Sequence, residues 1–352
     1  MEKVFQARQF FIAGVFFLLG AMCSWLWLHT YCSLSVCKRS VGIIYVPSRM
    51  FHKIAADKLK DLLCADERFV VAEWHASSSR DEVNIKALCA EALESSVDLL
   101  VVMGMRCSRI LVDMAREGGY SKPIIFISLN DPVSAGVIAA LEKPEGLVTG
   151  VTVQILEPTS INPCELLFEL KSDVRGVLIP YAVGSTASKE AYVQSLVRYC
   201  KSCGVKAKAL AIPQNTDPIE AVARVLPAYD TLLYVEGDAL AEMAPALGEL
   251  ASQYGVTFFA GSIDGAHTAS LTYAPHSENL AWTAYALIKK ILVYRQPVAE
   301  CPVQQLTVDR ELILNLDRFK SQGLRSVDVR TVIHSIRSKP ALAQVRSHIR
   351  VW

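Results

Sequence analysis

The sequence has no excess of charge of either sign. Lysine and arginine number 36, aspartate and glutamate number 35 among 352 residues, and the formal charge is +1. The two signs are interspersed along the chain, whereas a nucleic-acid surface needs a basic patch or stripe. The charge balance therefore gives no support for a nucleic-acid partner.

The sequence motifs of common enzymes and metal sites are missing as well. No GxSxG, HExxH or Walker sequence occurs, and no GxGxxG follows the first predicted strand. The seven histidines form no ligand cluster, and the ten scattered cysteines lack the paired spacing of a zinc site. Asp131 has no adjacent carboxylate for acid–base catalysis. We therefore predict no catalytic residue, no cofactor and no metal, and we interpret the cysteines, including Cys200-Lys201-Ser202-Cys203, as structural thiols.

The longest apolar run lies at the N-terminus. Phe10 to Leu28 is almost wholly apolar and uncharged, and at about 1.5 Å per residue it can just span a hydrocarbon core of about 30 Å. The alternatives are a secretory signal, whose apolar region is usually shorter, or a tether for a cytoplasmic domain. Leu34-Ser35-Val36-Cys37 resembles a lipoprotein lipobox, except that Val36 stands where a small residue is expected. Residues 1–40 are predicted to be a signal sequence or a membrane anchor, and cleavage, lipidation and retention all stay open.

After Arg39 the sequence alternates between apolar strand patterns and amphipathic helix patterns. Val41–Val46, Val97–Met103 (apolar except for Asp98) and Ile124–Leu129 are runs typical of buried parallel strands, and each precedes a helical pattern. The same alternation returns after Pro163. Repeated units of this kind predict parallel sheets with helices on both faces. The predicted fold class is α/β, with two Rossmann-like lobes preceded by an N-terminal hydrophobic helix.

The two series of strands and helices define the predicted domains. Residues 41–150, with a return at about 275–300, form the N-terminal lobe, and residues 151–274, with about 303–324, form the C-terminal lobe. Gly323 ends the globular pattern. Residues 325–352 hold six Arg or Lys and one acid, so we predict a basic extension there. This extension could form an amphipathic helix on a membrane or partner, or stay a solvated terminus.

The segment Ile124–Thr152 carries both a ligand and a hinge prediction. Its strand ends at Asn130-Asp131-Pro132, where Asp131 can cap a helix that we predict to run through Leu141. A new strand and a second sheet follow, so we predict a hinge at Thr149 and Gly150. Ligands of open α/β sheets bind beyond the carboxyl ends of the strands. Asp131 is therefore a candidate either for capping or for ligand contact.

Polar side chains at other strand ends complete a candidate ligand set from two facing lobes. Arg106 could pair with a carboxylate, and Asp131 or Asp238 with an ammonium group. Backbone N–H groups at the helix start near Ser108 could receive an anion. For any single member of the set, helix capping is the alternative role. The predicted ligand-binding residues are Ser48, Arg106, Ser108, Asp131, Ser185, Thr186 and Asp238.

One string of residues resembles a known protein family in its order and spacing. It comprises Asp131-Pro132-Val133, Gly136, Lys143-Pro144-Glu145-Gly146 and Thr149-Gly150-Val151, and it is similar to the signature of ABC-transporter substrate-binding proteins of the type I periplasmic group. This branch includes tryptophan and tyrosine binders, and the resemblance covers about 41–324. It implies two Rossmann-like lobes joined by three crossovers. Met105 stands where the family usually has threonine, so the resemblance implies the fold without specifying the ligand.

The resemblance also implies a function. A small polar or amino-acid-like ligand would bridge the lobes, and hinge closure would bury it before delivery to an ABC permease and its ATPase. The protein would work on the periplasmic or cell-surface side of the cytoplasmic membrane, anchored by its N-terminal segment or secreted. The alternative is a membrane-anchored ligand sensor or interaction module on the same fold, without a role in transport.

Overall fold

Strands and helices alternate along the described part of the chain. The computed structural model describes residues 38–129, 131–144, 146–153, 162–184, 187–213, 215–235, 240–275, 277–306, 310–319, 321–322, 334 and 349–351. The strands are β1 (Arg39–Tyr45), β2 (Phe69–His75), β3 (Leu99–Met103), β4 (Ile124–Leu129), β5 (Val148–Val153), β6 (Gly176–Ala182), β7 (Lys206–Ile212), β8 (Thr231–Tyr234), β9 (Thr257–Ala260), β10 (Leu271–Pro275), β11 (Gln304–Leu306), β12 (Arg310–Leu314) and β13 (Ile349–Val351). The α-helices are α1 (Met50–Cys64), α2 (Glu82–Glu94), α3 (Met105–Glu117), α4 (Pro163–Leu170), α5 (Ala187–Ser202), α6 (Pro218–Ala223), α7 (Ala244–Tyr254), α8 (Glu278–Ile288) and α9 (Leu316–Phe319).

The first sheet has the strand order β2-β1-β3-β4-β5-β11. Pairs β1–β3, β3–β4, β4–β5 and β5–β11 are parallel. Val101 of β3 packs in one core with α1 and α8, whereas its neighbours Leu100 and Val102 pack in another with α2 and α3. Because helices cover both faces, β3 is buried at every residue, as the apolar run predicted.

The second sheet has the order β7-β6-β8-β9-β10-β12-β13, with parallel pairing from β7 through β10. Helices α4 and α5 cover one face, and α6 and α7 cover the other. These two lobes confirm the predicted α/β class with two parallel-sheet lobes. The antiparallel strand β12 beside β10 was not predicted.

The end of the chain returns to the second sheet. Strand β13, which lies inside the predicted basic extension, pairs in parallel with β12. Arg350 on β13 also forms an ion pair with Glu311 on β12, with an N–O distance of 3.2 Å. The folded pattern therefore resumes after Gly323, because β12 offers an edge that another strand can pair with.

The chain passes between the sheets after β5, after β10 and after β11. Strand β11 lies at the edge of the first sheet, beside β5, although residues 303–324 were assigned to the second lobe from the sequence. A three-residue strand carries too short a pattern to identify its sheet. Strand β11 belongs to the first sheet because it pairs with the edge of β5 that no other described strand covers.

The segment after Asp131 forms turns, so the predicted helix through Leu141 is wrong. The N–H groups of Ala135 and Val137 donate to the carbonyls of Asp131 and Pro132 in a single turn. Gly136 then has a φ of +73°, which no residue of an α-helix adopts. The left-handed glycine ends the turn before a second one can form.

The predicted N-terminal signal or anchor lies outside the described residues, up to residue 37. Most of the predicted basic extension also lies outside them. Within the segments that are described, no helix is long and apolar enough to cross a membrane.

Candidate functional site

Loops at the carboxyl ends of strands from the two sheets meet each other. In the first lobe, the turn after β1 contains Arg49, and the loop after β2 contains Ser78 and Ser79. In the second lobe, Glu242 follows β8 and Asp264 follows β9. These five residues make three polar contacts between the lobes, one at Asp264 and two at Glu242, and we call them the lobe interface. The carboxyl ends of parallel strands are where ligands of such folds bind.

Asp264 connects the second lobe to the N-terminus of α1. Its Oδ1 accepts the N–H of Phe51 at 3.2 Å, and its Oδ2 lies 3.4 Å from Arg49 Nε. Ser262 Oγ donates to the same Oδ2 at 2.7 Å. A carboxylate at a helix N-terminus satisfies N–H groups that have no partner inside the helix and interacts favourably with the helix dipole. Asp264 is thus engaged by protein donors from both lobes.

Glu242 makes the second connection between the lobes. Ser78 Oγ donates to its Oε2 at 2.6 Å, and the Ser79 N–H donates to its Oε1 at 2.5 Å. On the first lobe, Arg106 Nη1 donates to the Ser79 carbonyl at 3.4 Å. The Ser79 backbone therefore lies between a carboxylate of one lobe and a guanidinium of the other.

Three buried polar atoms near this interface have no hydrogen-bond partner within the described part of the chain: His52 Nδ1, Ser79 Oγ and Ser108 Oγ. All three belong to loops or first helical turns at the carboxyl edge of the first sheet. Leaving a buried polar atom without a partner costs about 1–3 kcal/mol. Most buried polar groups in native proteins are satisfied, so three such atoms at one edge need an explanation.

The His52 ring lies against the end of β3. A methyl group added to Gly104 would stand 2.6 Å from His52 Cε1, so the glycine is needed for this approach. Burial and then the charge of Arg49 lower the pKa of His52 well below 6.5. The imidazole is therefore neutral at pH 7, with one nitrogen that donates a hydrogen bond and one that accepts.

The predicted ligand residues have different surroundings in the structure. Arg106 and Ser108 share the first turn of α3, where Arg106 is half-buried and Ser108 is fully buried. Ser48 is exposed in the turn after β1. Asp131 accepts the Ser134 N–H at 3.0 Å, which is a capping contact of a turn. Ser185, Thr186 and Asp238 lie outside the described residues.

The predicted hinge residues lie inside a strand. Thr149 and Gly150 pair with Ile125 and Phe126 in the middle of β5, and Thr149 Oγ1 donates to the Cys301 carbonyl at 2.7 Å. A Cβ at Gly150 would stand 2.4 Å from the Phe126 carbonyl oxygen. The glycine serves close packing between β4 and β5, and the chain leaves the first sheet only after Val153.

Sequence reasoning missed several residues of this region. His52 was considered only as a metal ligand, and Ser79 and Glu242 were not considered. The run Ser77-Ser78-Ser79 directly after a predicted strand was a usable signal for a polar loop. Lys189, on the first turn of α5, is 9 % exposed and donates to the Val235 carbonyl at 2.9 Å, just beyond the end of β8. Buried lysines are rare, and the burial of Lys189 could not be predicted because the residue lies within an ordinary helical pattern.

Metal ligands do not cluster in the described segments, where no group of three His, Cys, Asp or Glu could hold an ion. The polar groups at the lobe interface are hydroxyls, backbone N–H groups, carboxylates and the Arg49 guanidinium, and the His52 imidazole and the Arg106 guanidinium lie beside them. Such groups suit recognition of a polar organic molecule by hydrogen bonds and charge pairing.

Comparisons with known proteins agree with this architecture. A curated relative, the tyrosine-binding protein of Clostridioides difficile (strain R20291), is 23% identical over 206 residues, which are 58% of this chain and 58% of that protein. The aligned region thus spans little more than half the length of the relative. The crystal structure of an ABC domain in complex with L-Trp from Streptococcus pneumonia has a TM-score of 0.70 at 14% identity, covering 88% of this chain and 100% of that one.

A second solved structure shares the fold with a different bound molecule. It is an ABC transporter solute-binding protein from Bacillus halodurans with bound myo-inositol, at a TM-score of 0.53 and 14% identity, covering 82% of this chain and 99% of that one. The family model described as ABC transporter substrate binding protein matches residues 53–331, which is most of the chain. Proteins of this kind bind solutes outside the cytoplasm and are not enzymes. The chain therefore belongs to the family of ABC transporter substrate-binding proteins.

Proposed function

We propose that this chain captures a small polar, amino-acid-like solute between its two lobes and presents it to an ABC importer. The observation that carries the proposal is the group of unpartnered buried atoms at the carboxyl edge of the first sheet, His52 Nδ1, Ser79 Oγ and Ser108 Oγ. A solute that hydrogen-bonds to these atoms removes the cost of burying them unpaired.

The charges near these atoms favour an amino-acid-like solute. Arg106 is half-buried and donates to the Ser79 carbonyl. The Glu82 carboxylate, whose charge interacts with Arg106, forms its ion pair with Lys86, and no ion pair of Arg106 is found in the described chain. A guanidinium can bind a carboxylate through two parallel hydrogen bonds, which makes Arg106 the proposed carboxylate contact. The tyrosine-binding relative and the L-Trp complex support this solute class. The relative with bound myo-inositol keeps polyols among the solutes to be tested.

Closure of the lobes is the proposed means of capture. The Glu242 contacts with Ser78 and Ser79 and the Asp264 contacts with Arg49 and Phe51 join the two lobes. We infer that these contacts form when the lobes close on the solute and break when they open, with bending in the three crossovers. The proposed ligand set is the predicted one, Ser48, Arg106, Ser108, Asp131, Ser185, Thr186 and Asp238, enlarged by His52 and Ser79.

The proposed location follows from the family and from the sequence. Substrate-binding proteins of ABC transporters act outside the cytoplasm, and we propose that the apolar N-terminal segment holds this one at the membrane. A ligand sensor without a transport role is the second candidate, because Met105 replaces the threonine that the family usually has at the start of α3. Uptake of the solute by cells with and without the chain separates the two functions.

Thermal-shift screening of the full-length protein tests solute binding. The panel contains amino acids, nucleosides, small sugars and polyols, each with a matched sample of the variant Ser108→Ala. A solute at 100 times its dissociation constant stabilises the protein by about 2.7 kcal/mol. We expect the largest shift from an amino acid and a smaller one with the variant. No shift from any class would contradict capture of a small polar solute.

A further inference from the structure

Two cysteines of the second lobe lie in direct contact. Cys164 stands in the first turn of α4 and Cys200 in the last turn of α5, and both are 0% exposed. Their sulfur atoms are 3.4 Å apart, with Cys200 Sγ donating to Cys164 Sγ. Phe168, one turn after Cys164 in α4, stacks on Tyr199, which directly precedes Cys200 in α5, with ring centroids 6.1 Å apart and an interplanar angle of 12°. The contact between the sulfurs is therefore held by packed helices on both sides.

We propose that Cys164 and Cys200 are joined by a disulfide bond in the exported protein. The proposal rests on the extracytoplasmic location of the family, because disulfides form and persist in oxidising compartments outside the cytoplasm. A disulfide bond is about 2.05 Å long, so the sulfurs must approach by roughly 1.3 Å from their 3.4 Å separation for the bond to form. No other pair of cysteines in the described residues makes a sulfur–sulfur contact.

Oxidation of the pair takes two exchange steps. In the folded lobe, the contact with Cys200 and burial raise the pKa of Cys164, so the exchange takes place before the pair is buried. One protein thiol loses its proton and attacks the disulfide of a thiol oxidant, releasing one thiol. The other protein thiol then loses its proton and attacks the protein sulfur of the mixed disulfide, releasing the second thiol. Two protein thiols lose two protons and two electrons, and the disulfide of the oxidant is reduced to two thiols.

The bond would join two helices that cover the same face of the second sheet. Helix α4 is the first described element after β5, and α5 carries Lys189 in its first turn. The two cysteines are 36 positions apart, so the cross-link closes a long loop in the unfolded chain. Because both sulfurs are buried in the folded lobe, the reaction accompanies folding after export.

Peptide mapping of the exported full-length protein tests the bond. Thiols are blocked with N-ethylmaleimide during lysis, and digests are compared by mass spectrometry before and after reduction. We expect a cross-linked species that contains the peptides of Cys164 and Cys200 and disappears on reduction. Reduction should also lower the melting temperature by roughly 10 °C. N-ethylmaleimide on both residues, or a bond between Cys200 and Cys203, would overturn the proposal.

Two variants and a refolding experiment complete the test. Cys203→Ser, which changes the nearby exposed thiol, keeps the cross-link, whereas Cys164→Ala loses both the cross-link and the effect of the reductant on melting. A refolding experiment avoids variants: reduced wild-type protein is refolded in a mixture of oxidised and reduced glutathione. The same cross-link is expected there, and its absence at every ratio counts against the proposal.

Discussion

Replacement of Ser108 by alanine should stabilise the protein without its solute and weaken its binding. The Ser108 side chain is fully buried, and its Oγ has no partner within the described residues. Alanine removes an unpaired polar atom that costs about 1–3 kcal/mol and leaves a void smaller than a methyl group. We expect the free energy of unfolding to rise by about 1 kcal/mol in urea denaturation. A lost hydrogen bond of about 1 kcal/mol to the solute should reduce affinity roughly fivefold by titration calorimetry.

A second buried serine is the matched control for this variant. Ser270 is also fully buried, but its Oγ donates to the Phe258 carbonyl at 3.2 Å. Ser270→Ala breaks a satisfied hydrogen bond and should lower the free energy of unfolding by about 1 kcal/mol, with solute affinity unchanged. The two variants thus move stability in opposite directions. If Ser108→Ala destabilises the protein as Ser270→Ala does and leaves affinity intact, the reasoning from the unpartnered hydroxyl is refuted.

Three further predictions concern closure, pH dependence and packing. Glu242→Gln weakens the contacts with Ser78-Ser79 between the lobes, so solute affinity should fall roughly tenfold. The far-UV circular dichroism spectrum should stay unchanged. An unchanged affinity would count against lobe closure through this residue. The pKa of His52 is lowered from 6.5 in the folded protein, so the unfolded state binds more protons below that pH. The free energy of unfolding should therefore fall as the pH falls below about 6.5. Urea titrations at several pH values should show that His52→Asn flattens this dependence. Gly150→Ala places a Cβ 2.4 Å from the Phe126 carbonyl oxygen and should lower the free energy of unfolding by about 1–3 kcal/mol, measured by thermal unfolding. An unchanged melting temperature would show that β4 and β5 can separate.

The strands and most helices could be predicted because their signals are local. Buried parallel strands such as β3 are uninterrupted apolar runs, and α4 begins at Pro163, where the alternation was predicted to return, because a capping Asn162 and a proline mark its start. The helix predicted after Asp131 failed because Gly136 takes a left-handed conformation, which the sequence pattern does not reveal. Strand β13 was missed because its pairing partner, β12, is distant in sequence.

The candidate site was less predictable, since its contacts join residues far apart in the chain. The Asp264 carboxylate and the Phe51 N–H are 213 positions apart, and the Glu242 carboxylate and the Ser79 N–H are 163 apart. From sequence alone, Asp264 is one of several aspartates in polar loops. Ser108 was predicted because it follows a strand end closely. His52 lies inside a helical pattern, from which the burial of its ring nitrogen could not be predicted.

A crystal structure with the solute that gives the largest thermal shift tests the central claim most directly. We predict that the solute lies between the lobes, with polar atoms within hydrogen-bond distance of His52 Nδ1 and Ser108 Oγ and a carboxylate against Arg106. The Glu242 and Asp264 contacts between the lobes should remain in that structure. A solute bound elsewhere on the chain, with His52 Nδ1 and Ser108 Oγ still unpartnered, would contradict the account.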